Sequence, residues 1–373
     1  MIAYVLPTRD RPGPLARTLD ALGRLPPHDA EVVIVDNASR PPPHAPVTLP
    51  NGLHVSLVMR ASNEGAAARN AGVRAADPSC EWVVMLDDDS CPMDLEFLPV
   101  LRRQPSDVAA VAAEVQLGGP SRTRLVRESG GLPEVFIGCG VAVRRQAFLN
   151  ARGYDPLFHY YAEEYDLAAR FMLGGMRIAL DRGFRVLHEK TSGGRSMNRI
   201  LRRLVRNNAW VMQRYAPARE RSGEVRRTIA RYGRIAARER ALPGYLRGLA
   251  DLAFTLPGQQ QREMPAALWD RFTGKSVCRR SLLKAWSERR FSSAAIIEPG
   301  KNEHVVHACL EEMGVSVVPH DRDPEVLVIG TLSPGPLLDA WDAYSADPRV
   351  VSPWSSLTAR SAPAVPTAAR TAA

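Results

Sequence analysis

Trp82-Val83-Val84-Met85-Leu86-Asp87-Asp88-Asp89 is a five-residue apolar run that stops abruptly at three carboxylates. A short continuous apolar run bounded by polar residues reads as a strand buried on both faces. Three adjacent carboxylates repel one another. They need a compensating cation, and a hard divalent ion with oxygen ligands, able to hold a diphosphate, is the natural one. The plainer reading is a solvated acidic turn or a helix cap. The flanking sequence repeats the pattern. Ile2–Leu6 is apolar and ends in Pro7-Thr8; Glu31–Val35 is apolar and ends in Asp36-Asn37; Val55–Met59 is a further strand. Between them, Leu15, Leu19 and Leu22 mark a helix over 15–22, Pro41–Pro50 reads as loop, and Asn63-Glu64-Gly65 opens a helix over 66–76. The order β-α-β-β-α-β implies a mostly parallel sheet covered by helices. Its polar residues fall at the C-terminal ends of strands, where open α/β sheets take ligands.

Further along, residues 107–188 continue the α/β pattern, with a Gly138-Cys139-Gly140 loop, a helix over 166–173 and a late His188 that ends an apolar run. On its own, His188 reads as a structural histidine. Residues 195–290 read as helical, with interruptions near Pro243-Gly244 and Pro257-Gly258. This stretch holds 23 basic residues against 7 acidic ones, a local charge of +16 in a chain of net +9. Such a segment suits an anionic membrane, a nucleic acid or an anionic substrate. Solvated helices in an arginine-rich composition explain it equally, since only 4 of the 49 basic residues are lysine. From Ala294 a second, small α/β unit follows: strands at 294–297, 315–318 and 326–329, helices at 303–313 and 337–344, then an Ala/Pro/Ser/Thr-rich tail expected to be disordered.

The chain's 373 residues, 45% of them hydrophobic, can bury a sizeable core in two or three domains. No window of 18 apolar residues is present, and the N-terminus lacks a charged n-region and a cleavage site, so neither a membrane span nor a signal peptide is expected. Five scattered cysteines (Cys80, Cys91, Cys139, Cys278, Cys309) without C-x-x-C spacing fit a reducing cytoplasm rather than a disulfide scaffold or a zinc cluster.

Taken in order, these pieces resemble the family 2 glycosyltransferases, which are nucleotide-sugar dependent and inverting and have the GT-A fold. Val5-Leu6-Pro7-Thr8-Arg9 looks like the family's opening strand, and Val33 to Ser39 like its second strand with Asp36. Asn63-Glu64-Gly65 through Arg69-Asn70-Ala71-Gly72 resembles its Asn-x-Gly and Arg-Asn-x-Gly segment, and Asp87-Asp88-Asp89 its D-x-D motif. Gly138-Cys139-Gly140, Arg144-Arg145 and Gly153-Tyr154-Asp155 resemble its acceptor-side segment. Glu163-Glu164-Tyr165-Asp166 with Arg170 resembles its Glu-Asp motif, and Arg206-Asn207 its late Arg-Asn pair. The family usually reads Glu-Asp-x-Asp there, so the position of its base falls on Glu164, one methylene longer.

The resemblance implies an α/β fold: a GT-A type, Rossmann-like mixed sheet flanked by helices over residues 1–215. A basic helical segment (216–293), a small α/β unit (294–355) and a disordered tail (356–373) would follow. It implies that Pro7, Thr8, Arg9, Asp36, Asn63, Gly65, Arg69, Asp87 and Asp88 bind the nucleotide sugar. Asp89 and His188 would hold Mg²⁺ or Mn²⁺. Glu164 would be the general base, with Glu163 and Asp166 as the alternatives. The acceptor is open among a saccharide, a lipid-linked sugar, a natural product and a peptide. A cytoplasmic location, peripheral contact with the inner face of the membrane, a homodimer and no nucleic-acid partner complete the expectations. A sugar-phosphate nucleotidylyltransferase is the alternative enzyme, but the first strand ends in Pro7-Thr8-Arg9 rather than in a Gly-rich phosphate loop. A nucleic-acid-binding protein lacks support from zinc-ligand spacing or an RNP-like aromatic pattern. A non-catalytic nucleotide-sugar binder would not need the full acidic set.

Overall fold

The computed structural model describes residues 1–119, 125–190 and 196–359. The chain divides into two compact units, Met1–Ser276 with Ser333–Pro336, and Val277–Leu332 with the chain from Leu337 on.

The first unit opens with β1 (Ile2–Thr8), α1 (Pro12–Gly23), β2 (Ala30–Asp36), β3 (His54–Met59), α2 (Arg69–Ala75) and β4 (Trp82–Met85). It continues with β5 (Ser90–Pro92), α3 (Phe97–Arg102), β6 (Val108–Leu117), β7 (Val126–Arg127), β8 (Val141–Arg144), α4 (Arg145–Asn150), α5 (Glu163–Leu173) and β9 (Arg177–His188). Four helices close it: α6 (Met197–Tyr215), α7 (Ala218–Arg238), α8 (Leu242–Thr255) and α9 (Ala266–Phe272). The main path of its sheet runs β3-β2-β1-β4-β8-β6-β9-β5, with β7 on β6. The β1–β4 half is parallel, as expected. The other half is mixed: β8 runs antiparallel to β4 and β6, β6 and β9 are parallel, and β5 is antiparallel to β9.

Burial explains the strands. Trp82–Met85 is buried on both faces, and Tyr4, Leu6, Val32, Ile34 and Val84 form one core with Phe97 and Phe184, whose rings stack at 4.9 Å. Register then sets the site. Met85 lies opposite Val141, so the end of β4 abuts the Cys139-Gly140 turn. Ser90 lies opposite His188, which brings the end of β9 beside Asp89.

Three local differences from expectation have physical causes. The helix expected over 66–76 splits into a 3₁₀ turn (Gly65–Ala68) and α2. The helix expected from Asp166 begins at Glu163, because Ala162 adopts a left-handed conformation and starts it there. The interruption expected near Pro243-Gly244 falls just before them, at 239–241 between α7 and α8, because Pro243 sits in the first turn of α8, where its missing N–H costs nothing. The sequence reading also missed β5, β7 and the late strand at 350–351, all two or three residues long.

The second unit, entered through α10 (Lys275–Glu288), has a four-stranded parallel sheet. Its strands are β10 (Ser293–Ile297), β11 (Ser316–Val317), β12 (Val326–Ile329) and β13 (Val350–Val351), with α11 at Glu303–Glu312 and α12 at Pro334–Tyr344. The boundaries drawn at 215 and 293 therefore do not coincide with the division at 276/277: α7 to α9 belong to the same unit as the large sheet. The tail drawn from 356 overlaps a short helix, Ser355–Thr358; residues 360–373 lie outside the described residues. All five cysteines are free and buried. No described helix is long and apolar enough to cross a membrane.

Candidate active site

The three consecutive aspartates leave β4 in three environments. Asp87 receives Arg69, whose guanidinium also donates to the Leu86 carbonyl at 3.0 Å. Asp88 is buried, accepting from the Thr8 hydroxyl at 2.8 Å and from Arg11 at 2.5 Å. Asp89 is buried between Arg11 at 2.6 Å and His188, whose Nε2 lies 3.3 Å away. The other face of His188 meets Glu128 at 3.0 Å and the Cys139 thiol at 3.6 Å, and Lys190 closes the chain on Glu128 at 2.7 Å.

Electrostatics follow from these contacts. Burial pushes Asp88 up to about 7, against the pull of Arg11 and Thr8. Burial would raise Asp89 too, but His188 and Arg11 outweigh it and hold this carboxyl below the usual range. Burial would lower His188; Asp89, Cys139 and Glu128 together drive it up to about 12 instead. One group of side chains here could hold a cation, and it includes His188 but not Asp89. Asp87, Cys139 and His188 each present a ligand atom within 4.8 Å of the others, and the buried His188 Nε2 faces Asp89 at 3.3 Å. Once an ion displaced the proton of His188, a carboxylate, a thiol and an imidazole beside Asp89 would be a donor set that fits a divalent ion.

The second acidic run stands at the start of α5. Here the backbone is held in an unusual shape: His159, Tyr161 and Ala162 all have positive φ (62°, 73° and 66°). Non-glycine residues rarely adopt this conformation unless the surroundings enforce it. Asn207 of α6 does so. It is fully buried and its amide donates to three carbonyls of the loop, Phe158 at 2.9 Å, Tyr160 at 2.9 Å and Tyr161 at 2.8 Å. From the other side, Ala66 N donates to the His159 carbonyl at 2.6 Å, and Gly65 has φ +64°. A Cβ on Gly65 would sit 2.1 Å from that same oxygen, so only glycine fits. Asn70 pairs with the Tyr154 backbone through two 2.8 Å bonds. The segment 63–70 thus ties the first acidic run to the second.

The three acids of that run differ. Asp166 is buried and committed: Arg170 (2.9 Å), Arg214 (2.8 Å) and Tyr215 (2.7 Å) all donate to it. Glu163 is buried with its Oε2 unpartnered, and burial plus the like charge of Glu164 push its carboxyl well above the usual range. Glu164 is half-buried and accepts from Gly138 N at 3.3 Å. A separate cavity of about 770 Å³ is lined by Asp155, Asp166, Arg170 and Arg214, but by none of Asp87, Asp88, Asp89, Glu163 and Glu164.

Residues 4–163 match the sequence model of a family described as Glycosyl transferase family 2. The match covers under half of the chain. An uncharacterized glycosyltransferase of Haemophilus influenzae is 23% identical over 193 residues, covering 46% of this chain and 62% of the relative. The chain therefore spans under two thirds of that relative's length. Among solved structures, the mannosyltransferase PcManGT from Pyrobaculum calidifontis, in complex with GDP-Man and Mn²⁺, is 19% identical with a TM-score of 0.44, over 83% of this chain and 86% of that one. GalNAc-T7, with UDP, GalNAc and Mn²⁺, is 15% identical with a TM-score of 0.44, over 57% of this chain and 51% of its own.

Within residues 4–163 and the strand that ends at His188, the structure brings Thr8, Arg69, Asp87, Asp88, Asp89 and His188 together. It places the others differently. Asp36 is fully buried and caps the turn after β2 by accepting from Ser39 N at 3.0 Å. Asn63 folds back on Gly65 N at 2.9 Å, so both shape the loop. Pro7 is in β1, opposite Val35. Arg9 is exposed and pairs with its neighbour Asp10 at 3.3 Å. Arg11, Glu128 and Cys139 were not singled out as site residues from the sequence. Only Arg11 carried a signal, as the second arginine after the Pro7-Thr8 strand end. Glu128 lies 60 residues from its partner His188.

Proposed function

We propose that this chain is an inverting glycosyltransferase that moves a sugar from a nucleotide-sugar donor to an acceptor hydroxyl with the help of Mg²⁺ or Mn²⁺. The supporting observation is that the fold joins a cation-fitting acidic run at the end of β4 to a glutamate pair at the start of α5. Asp87, Asp89 and His188, with Cys139 beside them, would hold the ion. When bound, the ion supplies Lewis-acid neutralisation of the departing diphosphate. Thr8 and Arg69 fix the aspartates that face the donor, and Asp36 holds the turn that would border its base.

Glu164 is the base in this reading. Asp166 already receives three donors, and burial, with the like charge of Glu164, raises the Glu163 carboxyl well above its usual range. Glu164 is reached by solvent and bonded to Gly138 N, so it can take the proton of an acceptor hydroxyl as that oxygen attacks the anomeric carbon from the face opposite the leaving group. One displacement inverts the configuration. A bacterial polysaccharide, a glycolipid or a natural product would supply the acceptor hydroxyl.

The test is a panel of UDP-, GDP- and dTDP-sugars incubated with the full chain, with and without Mn²⁺ or Mg²⁺, with release of nucleoside diphosphate as the readout. Cation-stimulated consumption of one donor is expected. A chain that binds and consumes none of them would overturn the reading.

A further inference from the structure

Most surface helices turn their apolar side inward and their polar side to water. The helix α8 departs from this: it buries Leu252 and packs Leu249 on the core, yet it also turns an apolar side outward. Its hydrogen-bonding residues face the protein. Asp251 pairs with Arg202 at 2.6 and 2.9 Å, Thr255 receives the Trp210 indole N–H at 3.0 Å, and Tyr245 donates to the Ile229 carbonyl at 3.1 Å. Gly248 presses this side onto α6 so closely that a Cβ there would meet Val205 at 2.4 Å and the Arg202 carbonyl at 2.6 Å. That contact fixes which side points away.

The side pointing away is apolar. Leu242, Leu246 and Phe254 are 47%, 60% and 87% exposed, and Pro243, Ala250 and Ala253 are exposed with them. At 100° per residue these six positions fall on one continuous arc. A phenylalanine this exposed, in line with two leucines, is a patch that needs an occupant.

We propose that the outer face of α8 docks on an anionic lipid bilayer. Charge argues for the occupant. Residues 218–255, which are α7, α8 and the turn between them, hold nine arginines against four acidic residues, and Arg247 lies at the edge of the apolar arc. Arg234, Arg240 and Arg247 have no carboxylate within salt-bridge distance among the described residues. Leucine and phenylalanine flanked by unpaired arginine is the pattern of a helix lying in a membrane interface. A second copy of the chain would bring the same positive charges against these, whereas anionic headgroups neutralise them. The surface differs from the one the sequence suggested. The α6 arginines are largely in use: Arg202 pairs with Asp251, Arg203 lies over Tyr160 at 5.4 Å, and Arg206 over Trp210 at 4.4 Å.

The experiment uses the full chain and vesicles of phosphatidylcholine, alone or mixed with phosphatidylglycerol. The wild type should co-sediment with the mixed vesicles and not with the neutral ones. Binding should weaken with salt, because screening acts over about 8 Å at physiological ionic strength. The double change Leu246→Glu, Phe254→Glu should lower binding at least about tenfold, with the thermal melt and nucleotide-sugar binding unchanged, since both side chains are exposed. Phe254→Cys labelled with an environment-sensitive dye should brighten on the mixed vesicles; the five native cysteines are buried and stay unlabelled. A wild type that ignores mixed vesicles at low salt would overturn the proposal, and so would a double variant that binds as well as wild type. A dimer seen by light scattering and abolished by Phe254→Glu would assign the face to a second copy instead.

Discussion

In the run Asp87-Asp88-Asp89 every carboxylate meets a cation, and the cations come from three elements: Arg69 from α2, Arg11 from the residue before α1, and His188 from the end of β9. In the run Glu163-Glu164-Tyr165-Asp166, Asp166 is treated this way, by Arg170 and Arg214. Glu163 is buried without such a partner, and Glu164 is left within reach of solvent. The two runs look alike as sequence. Their partners separate them into a place that gathers positive charge and a place that keeps a carboxylate ready for a proton.

The sharpest way to break that contrast is to remove the proton acceptor. Glu164→Gln should lower turnover by about 10²–10⁴, the usual reach of a general base. A larger loss from Glu163→Gln, measured in the same assay, would move the base one residue upstream. Asp166→Asn should act on folding instead. It leaves Arg170 and Arg214 facing a neutral group in a buried site, a change that costs about 3–5 kcal/mol. Denaturant unfolding would show it, and an Asp166→Asn chain as stable as wild type would remove Asp166 from its structural role.

A smaller effect reports on Glu163. Its carboxyl is raised in the folded chain, first by burial and then by Glu164. Above about pH 4.3 the unfolded chain has therefore released a proton that the folded chain keeps, and stability falls as pH rises. Glu163→Gln removes that penalty. It should melt above wild type at about pH 7 and level with it near pH 4, in melts run at both. An equal gain at both pH values would contradict the burial argument. The smallest change is expected at Arg11, which competes with any cation for Asp88 and Asp89. Arg11→Gln should tighten Mn²⁺ binding without nucleotide by about three- to tenfold, on the net scale of one ordinary hydrogen bond. Titration calorimetry would measure it, and weaker binding would show that Arg11 organises the site rather than competing for it.

Half of this architecture was legible in the sequence because it is written locally. β1, β2 and β4 are apolar runs that end in polar residues, and parallel pairing of such runs puts Thr8, Asp36 and Asp87 on the same edge without further information. The antiparallel half was not legible. Ser90-Cys91-Pro92 has no strand signature and becomes one only because β9 lies beside it. The same holds for the site. The three aspartates announce a need for positive charge but not its source, and Arg11 and Glu128 reach their partners across 77 and 60 residues. The left-handed residues 159, 161 and 162 are a histidine, a tyrosine and an alanine, residues that do not mark such a bend in advance. Their shape is imposed by Asn207, whose amide bonds the carbonyls of Phe158, Tyr160 and Tyr161 from 46 to 49 residues away.

The division between the two runs can be tested in one comparison of donor affinity: titration of the cognate nucleotide sugar, with Mn²⁺ present, into wild type, Asp89→Asn and Glu164→Gln. The account predicts that Asp89→Asn loses the Mn²⁺-dependent part of the affinity, while Glu164→Gln binds the donor as wild type does and fails only in transfer. Full Mn²⁺-dependent donor binding by Asp89→Asn, or loss of donor binding in Glu164→Gln, would contradict it.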